Sequence, residues 1–432
     1  MKKRYPAAGM PPTFRYSILF IAVSLAGSGF SEPVVLSGSA FPSLTGAPIR
    51  ELRVVTSKGV AIPFQIDERT AGGDYIGSGG PESNADSAHA ALQDQDEIVF
   101  LREDADSESS PAGATGLVGP RRTAEVAIAH GAGTRRVFLV DDSTIPLSPV
   151  RYIFYDERTQ DIRTPWYDAR FARDRFHFVR AGIMDSGSDR WVDIVKQLRI
   201  GIVLKTLWGI FPIRYNEDNI VCLVNRYTIG PIRLIRRGNF YLRLGFLGLK
   251  GSRAVVYQKC YPQEVEVPVH VHLPIRLSAL FSAAYFEMTP VISGGVQGFN
   301  FSVPSIGTSF ECASPGRIDT LIRITPDRGY MVSDGATGFA WITRVGVDDA
   351  RLAGSGYLFR RPSNRGVAEC GVRYAIRDLP KGNYTIDNWV LFPHPLVVPR
   401  AGDCMSFLQP ATVSVSGKNA ADLFVTPFAG EP

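Results

Sequence analysis

Among its 432 residues the sequence has no CxxC pair, no GxSxG and no EF-hand spacing. Its one dense glycine cluster, residues 77–80 (GSGG), lacks the Lys and the following helix of a phosphate loop. These absences exclude zinc-ribbon and thioredoxin-type chemistry, the α/β-hydrolase nucleophile, EF-hand calcium sensing and P-loop nucleotide binding. Long apolar runs are missing too, since none reaches the ~20 residues a spanning helix needs. No repeat of constant period is visible, which excludes propellers and solenoids. Charge is not one-sided: 47 basic and 42 acidic residues leave +5, too little for nucleic-acid binding over the whole surface. What is there is a chain 45% hydrophobic and 21% charged, with 42 Gly and 30 Pro. That composition excludes disorder, collagen and a polytopic membrane protein, and at roughly 100–200 residues per domain it predicts two or three domains.

The first 31 residues read as an address. Lys2, Lys3, Arg4 and Arg15 precede an apolar run at residues 17–26 (SILFIAVSLA), the length of a signal-peptide core rather than of a membrane span. Small residues follow, so cuts after Ser28 or after Ser31 both satisfy the small-x-small rule, and the mature chain is expected to begin near Glu32. Residues 1–31 are thus expected to be a signal peptide, the mature chain to lack a transmembrane span, and the location to be periplasmic or extracellular. Export permits disulfides, but five cysteines (Cys222, Cys260, Cys312, Cys370, Cys404) are an odd number and their pairing is open.

From Glu32 onward the chain is strand after strand. Segments such as AIPFQIDE, DEIVFLRE, RRVFLVDD, FYLRLGF and FAWITRVG recur between Gly, Pro, Asn and Asp turns every roughly 8–15 residues. Residues 191–209 (WVDIVKQLRIGIVLKTLWG) fit either a helix or a strand. Without βαβ alternation the predicted fold class is all-β. A small N-terminal β-sandwich is expected over residues 32–142, with polar loops at 71–92 and 107–119. A hinge follows at 143–149, then a large antiparallel β-sandwich over 150–428, which forms one domain or two.

Three blocks carry a resemblance. Ile62-Pro63-Phe64-Gln65-Ile66-Asp67-Glu68 followed by Asp96-Glu97-Ile98-Val99-Phe100 is similar to a pairing in secreted bacterial proteins of the polysaccharide-processing type. Ile229-Gly230-Pro231-Ile232-Arg233-Leu234-Ile235-Arg236-Arg237 resembles a segment of galactose-mutarotase-like super-sandwich proteins. Residues 189–274 also look like those of exported bacterial all-β proteins. The likeness implies a super-sandwich-like fold and an exported protein, and it transfers no catalytic residue.

Three constellations are chemically suggestive. An acidic cluster (Glu82, Asp86, Asp94, Asp96, Glu97, Glu103, Asp104, Asp106, Glu108) faces only Arg102 in sequence, and Asp94, Asp96 and Glu97 are candidate calcium ligands. The plainer reading is a solvated loop. A basic tract over 196–253 holds eleven cations (Lys196, Arg199, Lys205, Arg214, Arg226, Arg233, Arg236, Arg237, Arg243, Lys250, Arg253) against Glu217 and Asp218. On strands, Arg233 and Arg237 would share a face and Arg236 the other. Guanidinium forks with interleaved Tyr215, Tyr227 and Tyr241 suit carboxylated sugars, so Arg226, Arg233, Arg236, Arg237, Arg243 and Tyr241 are the candidate binding residues for an anionic glycan or envelope component. The plainer reading has the tract docking on the acidic loop of the first module. Finally, EVEVPVHVHL places Glu266, His270 and His272 where zinc could be held if the strand turned at Pro268, against a plain edge strand. His177 is a weaker candidate base, and Asp185, Asp189 and Asp193 are most simply a helix start. The leading expectation is a non-catalytic exported protein binding an anionic glycan. The alternatives are a carbohydrate-active lyase or hydrolase, with His177 or the His270/His272 pair near its site, and a structural partner in an envelope assembly.

Overall fold

The computed structural model describes residues 32–106, 123–130, 133–173, 177–184, 190–206, 212–244, 249–250, 254–273, 275–293, 298–303, 306–312, 320–322, 329–334, 337–345, 349–360, 368–392 and 412–415. Among them there is no α-helix, and no helix long and apolar enough to cross a membrane. The first module uses β1 (Pro33–Ser37), β2 (Leu52–Val55), β3 (Phe64–Asp67), β4 (Glu97–Leu101), β5 (Thr123–His130) and β6 (Gly133–Asp141). Next come β7 (Phe154–Asp156), β8 (Asp161–Arg163), β9 (Tyr167–Phe171), β10 (Phe178–Met184), β11 (Trp191–Thr206), β12 (Pro212–Tyr215) and β13 (Ile220–Ile229). β14 (Leu234–Leu244), β15 (Leu249–Lys250), β16 (Ala254–Cys260), β17 (Glu264–Glu266), β18 (Val269–Leu273), β19 (Phe281–Ile292), β20 (Asn300–Val303) and β21 (Thr308–Glu311) follow. The last are β22 (Thr320–Ile322), β23 (Tyr330–Ser333), β24 (Gly338–Val345), β25 (Gly356–Arg360), β26 (Glu369–Ala375), β27 (Gly382–Leu391) and β28 (Thr412–Val415).

The expected all-β class holds: small antiparallel sheets precede two large antiparallel ones. The small sheets run β1-β4-β3 and β2-β6-β5-β28, and their inner faces share one core that includes Leu36, Phe41, Leu52, Phe100, Val126 and Leu139. The ten-stranded sheet runs β22-β25-β26-β19-β11-β10-β9-β8-β7 with β12 beside β11. The eleven-stranded sheet runs β13-β14-β16-β17-β27-β24-β23-β20-β21, with β15 beside β14 and β18 between β16 and β27. Between them, alternate residues point inward: Phe301 and Val303, Tyr330 and Val332, Tyr357 and Phe359, Cys370, Val372 and Tyr374. Each such side chain contributes ~1.5–3 kcal/mol on burial.

Three elements depart from expectation. β28, assigned by sequence to the large sandwich, instead pairs with β5 (Val413↔Ile128) and buries Val413 and Val415 in the first module's core. The ambiguous stretch from Trp191 is a strand of 16 residues, because β10 and β19 on either side satisfy its backbone. EVEVPVHVHL is not an edge strand: it breaks at Pro268, which has no N–H to donate, into β17 and β18, both paired with β27. Four cysteines, Cys222, Cys260, Cys312 and Cys370, are buried thiols, and Cys404 lies outside the described residues. Burial pushes the Cys222 and Cys260 thiols up to about 12.

β13 ends the eleven-stranded sheet and would expose a row of unpaired backbone groups. The loop at 71–92 covers it. Gly79 and Tyr227 exchange both backbone hydrogen bonds at 3.0 Å, and the Glu82 amide donates to the Asn225 carbonyl at 2.8 Å. Gly80 has φ +94°, and a Cβ there would lie 2.6 Å from the Asn225 carbonyl oxygen. Gly80→Ala is therefore expected to lower unfolding free energy by about 1–3 kcal/mol and to speed amide exchange at Glu82 and Tyr227, as read by denaturant titration and hydrogen exchange.

Candidate functional site

The three blocks of the resemblance converge on one place. β3 and β4 pair with Asp67 opposite Glu97, which brings two carboxylates side by side. The turn before β14 inserts Arg233 between them. Its Nε donates to Asp67 at 2.8 Å, its Nη1 to the Tyr261 hydroxyl at 2.8 Å, and its Nη2 to Glu97. Arg233 is 0% exposed. Gln65 fixes the approach: its side-chain oxygen accepts from the amides of Ile232 (3.0 Å) and Arg233 (2.7 Å), while its Nε2 donates to Asp67 at 2.9 Å. A Cβ at Gly230 would overlap that Gln65 oxygen at 2.0 Å, so the glycine of the GPIR segment is a space requirement.

A wider shell completes the cluster. The Tyr75 hydroxyl donates to both Glu97 oxygens (2.9 and 2.8 Å), and Arg69 reaches Glu97 at 3.3 Å. Lys259 pairs with Glu266 at 3.2 Å. Burial alone would raise Glu97, but Arg233, Lys259 and Arg69 outweigh it and hold the carboxyl at about 2. Burial dominates at Asp67 and raises it despite Arg233. Burial, then Glu266, pushes Glu264 well above the ordinary carboxyl range, and its Oε2 has no hydrogen-bond partner.

The expected surface stripe is therefore corrected. Arg233 and Arg236 face the interior. Arg236 lies between the large sheets, donating to Gln160 at 2.6 Å and Gln258 at 2.5 Å with its guanidinium 4.5 Å from the Phe171 ring. Arg226 donates to the carbonyls of Glu82 (2.9 Å) and Tyr75 (3.2 Å). Arg237 lies 3.8 Å from Asp74 and 3.9 Å from Glu82. This half of the tract docks on the loop of the first module, because a guanidinium beside a carboxylate-bearing loop is better neutralised by it than by water. Tyr241 and Arg243 belong to β14, but their side chains lie outside the described residues, as do Arg253, Glu108, Asp185 and Asp189. Asp193 sits 3.6 Å from Arg180 on β11, in a strand rather than at a helix start.

The two metal readings are likewise not what the side chains do. Asp96 accepts from the amides of Arg69 (2.9 Å) and Gln93 (2.8 Å), Asp94 from Thr45 at 3.4 Å, and Glu97 serves Arg233. His270 bonds Thr385 at 3.2 Å and His272 bonds Asn383 at 2.7 Å, while Glu266 is buried against Lys259. Among the described residues no three metal-ligating side chains converge. His177 is buried, and its carbonyl accepts from the Ala172 amide at 3.1 Å.

The other half of the basic tract stays outside. On β11 Leu198 packs into the core, so Arg199, Gly201, Val203 and Lys205 face away from it. Register extends this outer face across the sheet: Arg214 opposes Val203, Val203 opposes Tyr285, Glu287 opposes Arg373, and Arg360 opposes Glu369. Arg373 pairs with Glu287 at 2.6 Å and lies 5.3 Å from the Tyr285 ring, and Arg360 sits 3.6 Å from both Glu287 and Glu369. Arg199 also pairs with Glu369. The carboxylates lie beneath, Glu287 12% and Glu369 5% exposed, while the Arg199 side chain is 48% exposed. Lys205 and Arg214 are exposed and have no acidic partner among the described residues. Sequence reading missed Glu287, Tyr285, Arg360, Glu369 and Arg373, which lie far from the tract along the chain and join it only through strand pairing.

No family model matches the sequence, and no curated protein matches it. Solved structures do. An α-mannosidase from Enterococcus faecalis V583 aligns at TM-score 0.47 and 9% identity, over 91% of this chain and 45% of that one. A glycosyl hydrolase family 38 protein from Enterococcus faecalis aligns at 0.46 and 8%, over 91% and 47%. An α-N-acetylgalactosaminidase from Bifidobacterium bifidum aligns at 0.37 and 10%, over 54% and 36%. The chain thus spans less than half of each.

Removing one member of the buried cluster leaves an uncompensated charge. Arg233→Met is expected to cost about 3–5 kcal/mol in denaturant unfolding. Because Glu97 is depressed from 4.5 to about 2, its contribution is full above pH 4.5 and is lost as pH falls through 2. Glu97→Gln should flatten that acid limb in unfolding measured from pH 6 to 2.

Proposed function

We propose that this chain is an exported, non-catalytic β-sandwich protein that binds an acidic glycan on the outer face of its ten-stranded sheet. The carrying observation is the division of the basic tract: Arg226, Arg233, Arg236 and Arg237 are taken up internally, whereas Arg199, Lys205 and Arg214 of β11 and β12 reach water. Arg360 and Arg373 extend that face, so five cations stand over two largely buried carboxylates. Guanidinium groups pair with sugar carboxylates or sulfates, and the Tyr285 ring offers an apolar face to a pyranose. Gly201 leaves the middle of the face without a side chain, where a sugar ring could sit close to the backbone. The basic residues of the leader and its short apolar run support export. A non-catalytic role is supported by the side-by-side carboxylates Asp67 and Glu97 being buried and both committed to Arg233.

The test is binding of heparin-type and uronic-acid polysaccharides against neutral ones. Lys205→Glu with Arg214→Glu should weaken acidic-polysaccharide binding roughly tenfold, about 1.4 kcal/mol, with the loss shrinking at high salt. Neutral polysaccharide should be insensitive. Unchanged affinity in the double variant overturns the reading. Arg233→Ala and Arg236→Ala report folding rather than recognition, because both side chains are buried.

A further inference from the structure

Glu103 belongs neither to the buried cluster nor to the outer face. It sits in the short 3-10 turn Arg102–Asp104 after β4. Both oxygens of its carboxylate reach the backbone nitrogen of Glu32, at 3.2 and 3.0 Å. That nitrogen is held in place. The Arg102 amide donates to the Glu32 carbonyl at 2.9 Å, the Arg102 guanidinium lies 3.7 Å from the Glu32 carboxylate, and β1 begins pairing with β4 one residue later, Pro33 opposite Leu101.

A peptide nitrogen brings one hydrogen to this fork, and two carboxylate oxygens await it. An ammonium brings three. Burial next to a neutral amide is costly for a carboxylate: burial, with the Glu32 carboxylate, lifts Glu103 to about 7 against the Glu103 and Glu32 amides and Arg102. A separate line comes from the sequence. Gly29 and Ser31 stand three and one residues before the Ser31–Glu32 bond, the small-x-small pattern of a leader peptidase.

We propose that the leader is cut between Ser31 and Glu32, and that the freed α-ammonium of Glu32 forms an ion pair with Glu103 that completes the first module. Water adds across the peptide bond: its hydroxyl goes to the Ser31 carbonyl carbon, the C–N bond breaks, and the Glu32 nitrogen takes the hydrogen and then a solvent proton. A cut after Ser28 would leave Gly29, Phe30 and Ser31 ahead of Glu32 and keep a neutral amide in the fork, so the geometry selects between the two cuts the sequence allows. Besides Glu32 and Arg102, the charged or titratable groups around Glu103 are Asp104, Tyr152, which hydrogen-bonds Asp104 at 2.8 Å, and Arg135, whose guanidinium donates to the Glu103 carbonyl at 3.0 Å. The ammonium should lower Glu103 and in return be raised above its ordinary ~7.7–8.0, so the pair's contribution is lost as pH rises through the raised ammonium value and again as pH falls through the lowered Glu103.

The inference rests on the exported reading, and two measurements separate them. The first is N-terminal sequencing and intact mass of the chain recovered outside the inner membrane, which should begin at Glu32. An exported chain beginning at Gly29 overturns the inference and leaves export standing, whereas a chain kept inside with its leader sinks export. The second uses purified chain beginning at Glu32, with and without α-N-acetylation, in the native and Glu103→Gln backgrounds. Acetylation should lower the melting temperature by about 2–4 °C with Glu103 present and have no effect in Glu103→Gln. Equal effects of acetylation in the two backgrounds overturn the ion pair, whatever the export result.

Discussion

One guanidinium joins the small sheets to the large ones. Arg233 leaves the turn before β14, crosses into the first module and meets Asp67 and Glu97 there, at zero exposure. A buried cation costs several kcal/mol in desolvation unless its partners are already in position. Here they are, because β3–β4 pairing sets Asp67 opposite Glu97 and Gln65 holds both Asp67 and the backbone of Arg233. The arrangement is directional in a way that apolar packing is not: a slip of β3 by one residue would turn Asp67 and Gln65 to the other face and strand the charge. Register in the small sheet and docking on the large sheet are one constraint.

The same logic organises the surroundings. The loop at 71–92 seals the edge of the eleven-stranded sheet at β13, and Gly77 and Gly79, where a Cβ would overlap Arg226 and the Tyr227 ring, leave room for those side chains. Most of the acidic residues scattered over 82–106 are taken up by local partners. Asp106 takes the Ser57 amide, Asp104 the Tyr152 hydroxyl, Glu82 the Asn225 side chain. What the sequence presents as an electrostatic block is a set of local clamps.

Fold class was legible because short β-branched and aromatic segments recur between turn residues, and in strands such as those holding Phe301 and Val303 or Val372 and Tyr374 alternate residues face the core. The ends were not: β28 carries a pattern indistinguishable from any other strand, and only its partner β5 places it in the first module. The three resembling blocks were legible as blocks, yet their meeting was not, since the Asp67–Arg233 bond closes 166 residues of chain. Arginine count misled for a physical reason. Arg233, Arg236 and Arg199 look alike in sequence, and their fates differ by what pairing sets opposite them: two carboxylates for Arg233, glutamines and Phe171 for Arg236, and for Arg199 the single buried Glu369, which leaves its guanidinium half in solvent.

That difference decides which cations can recognise anything. A guanidinium enclosed by Asp67, Glu97 and Tyr261 has its donors committed, and a ligand would have to displace those bonds while leaving two carboxylates buried and unpaired. At Lys205 and Arg214 the competing partner is water, and an acidic ligand that displaces it also gains from several cations at once. Arg199, Arg360 and Arg373 fall between, anchored by Glu287 and Glu369 from below while their outer edges face solvent. Such anchoring reduces the side-chain entropy lost on binding, so the carboxylates under the face favour recognition by holding the guanidinium groups in place rather than opposing it.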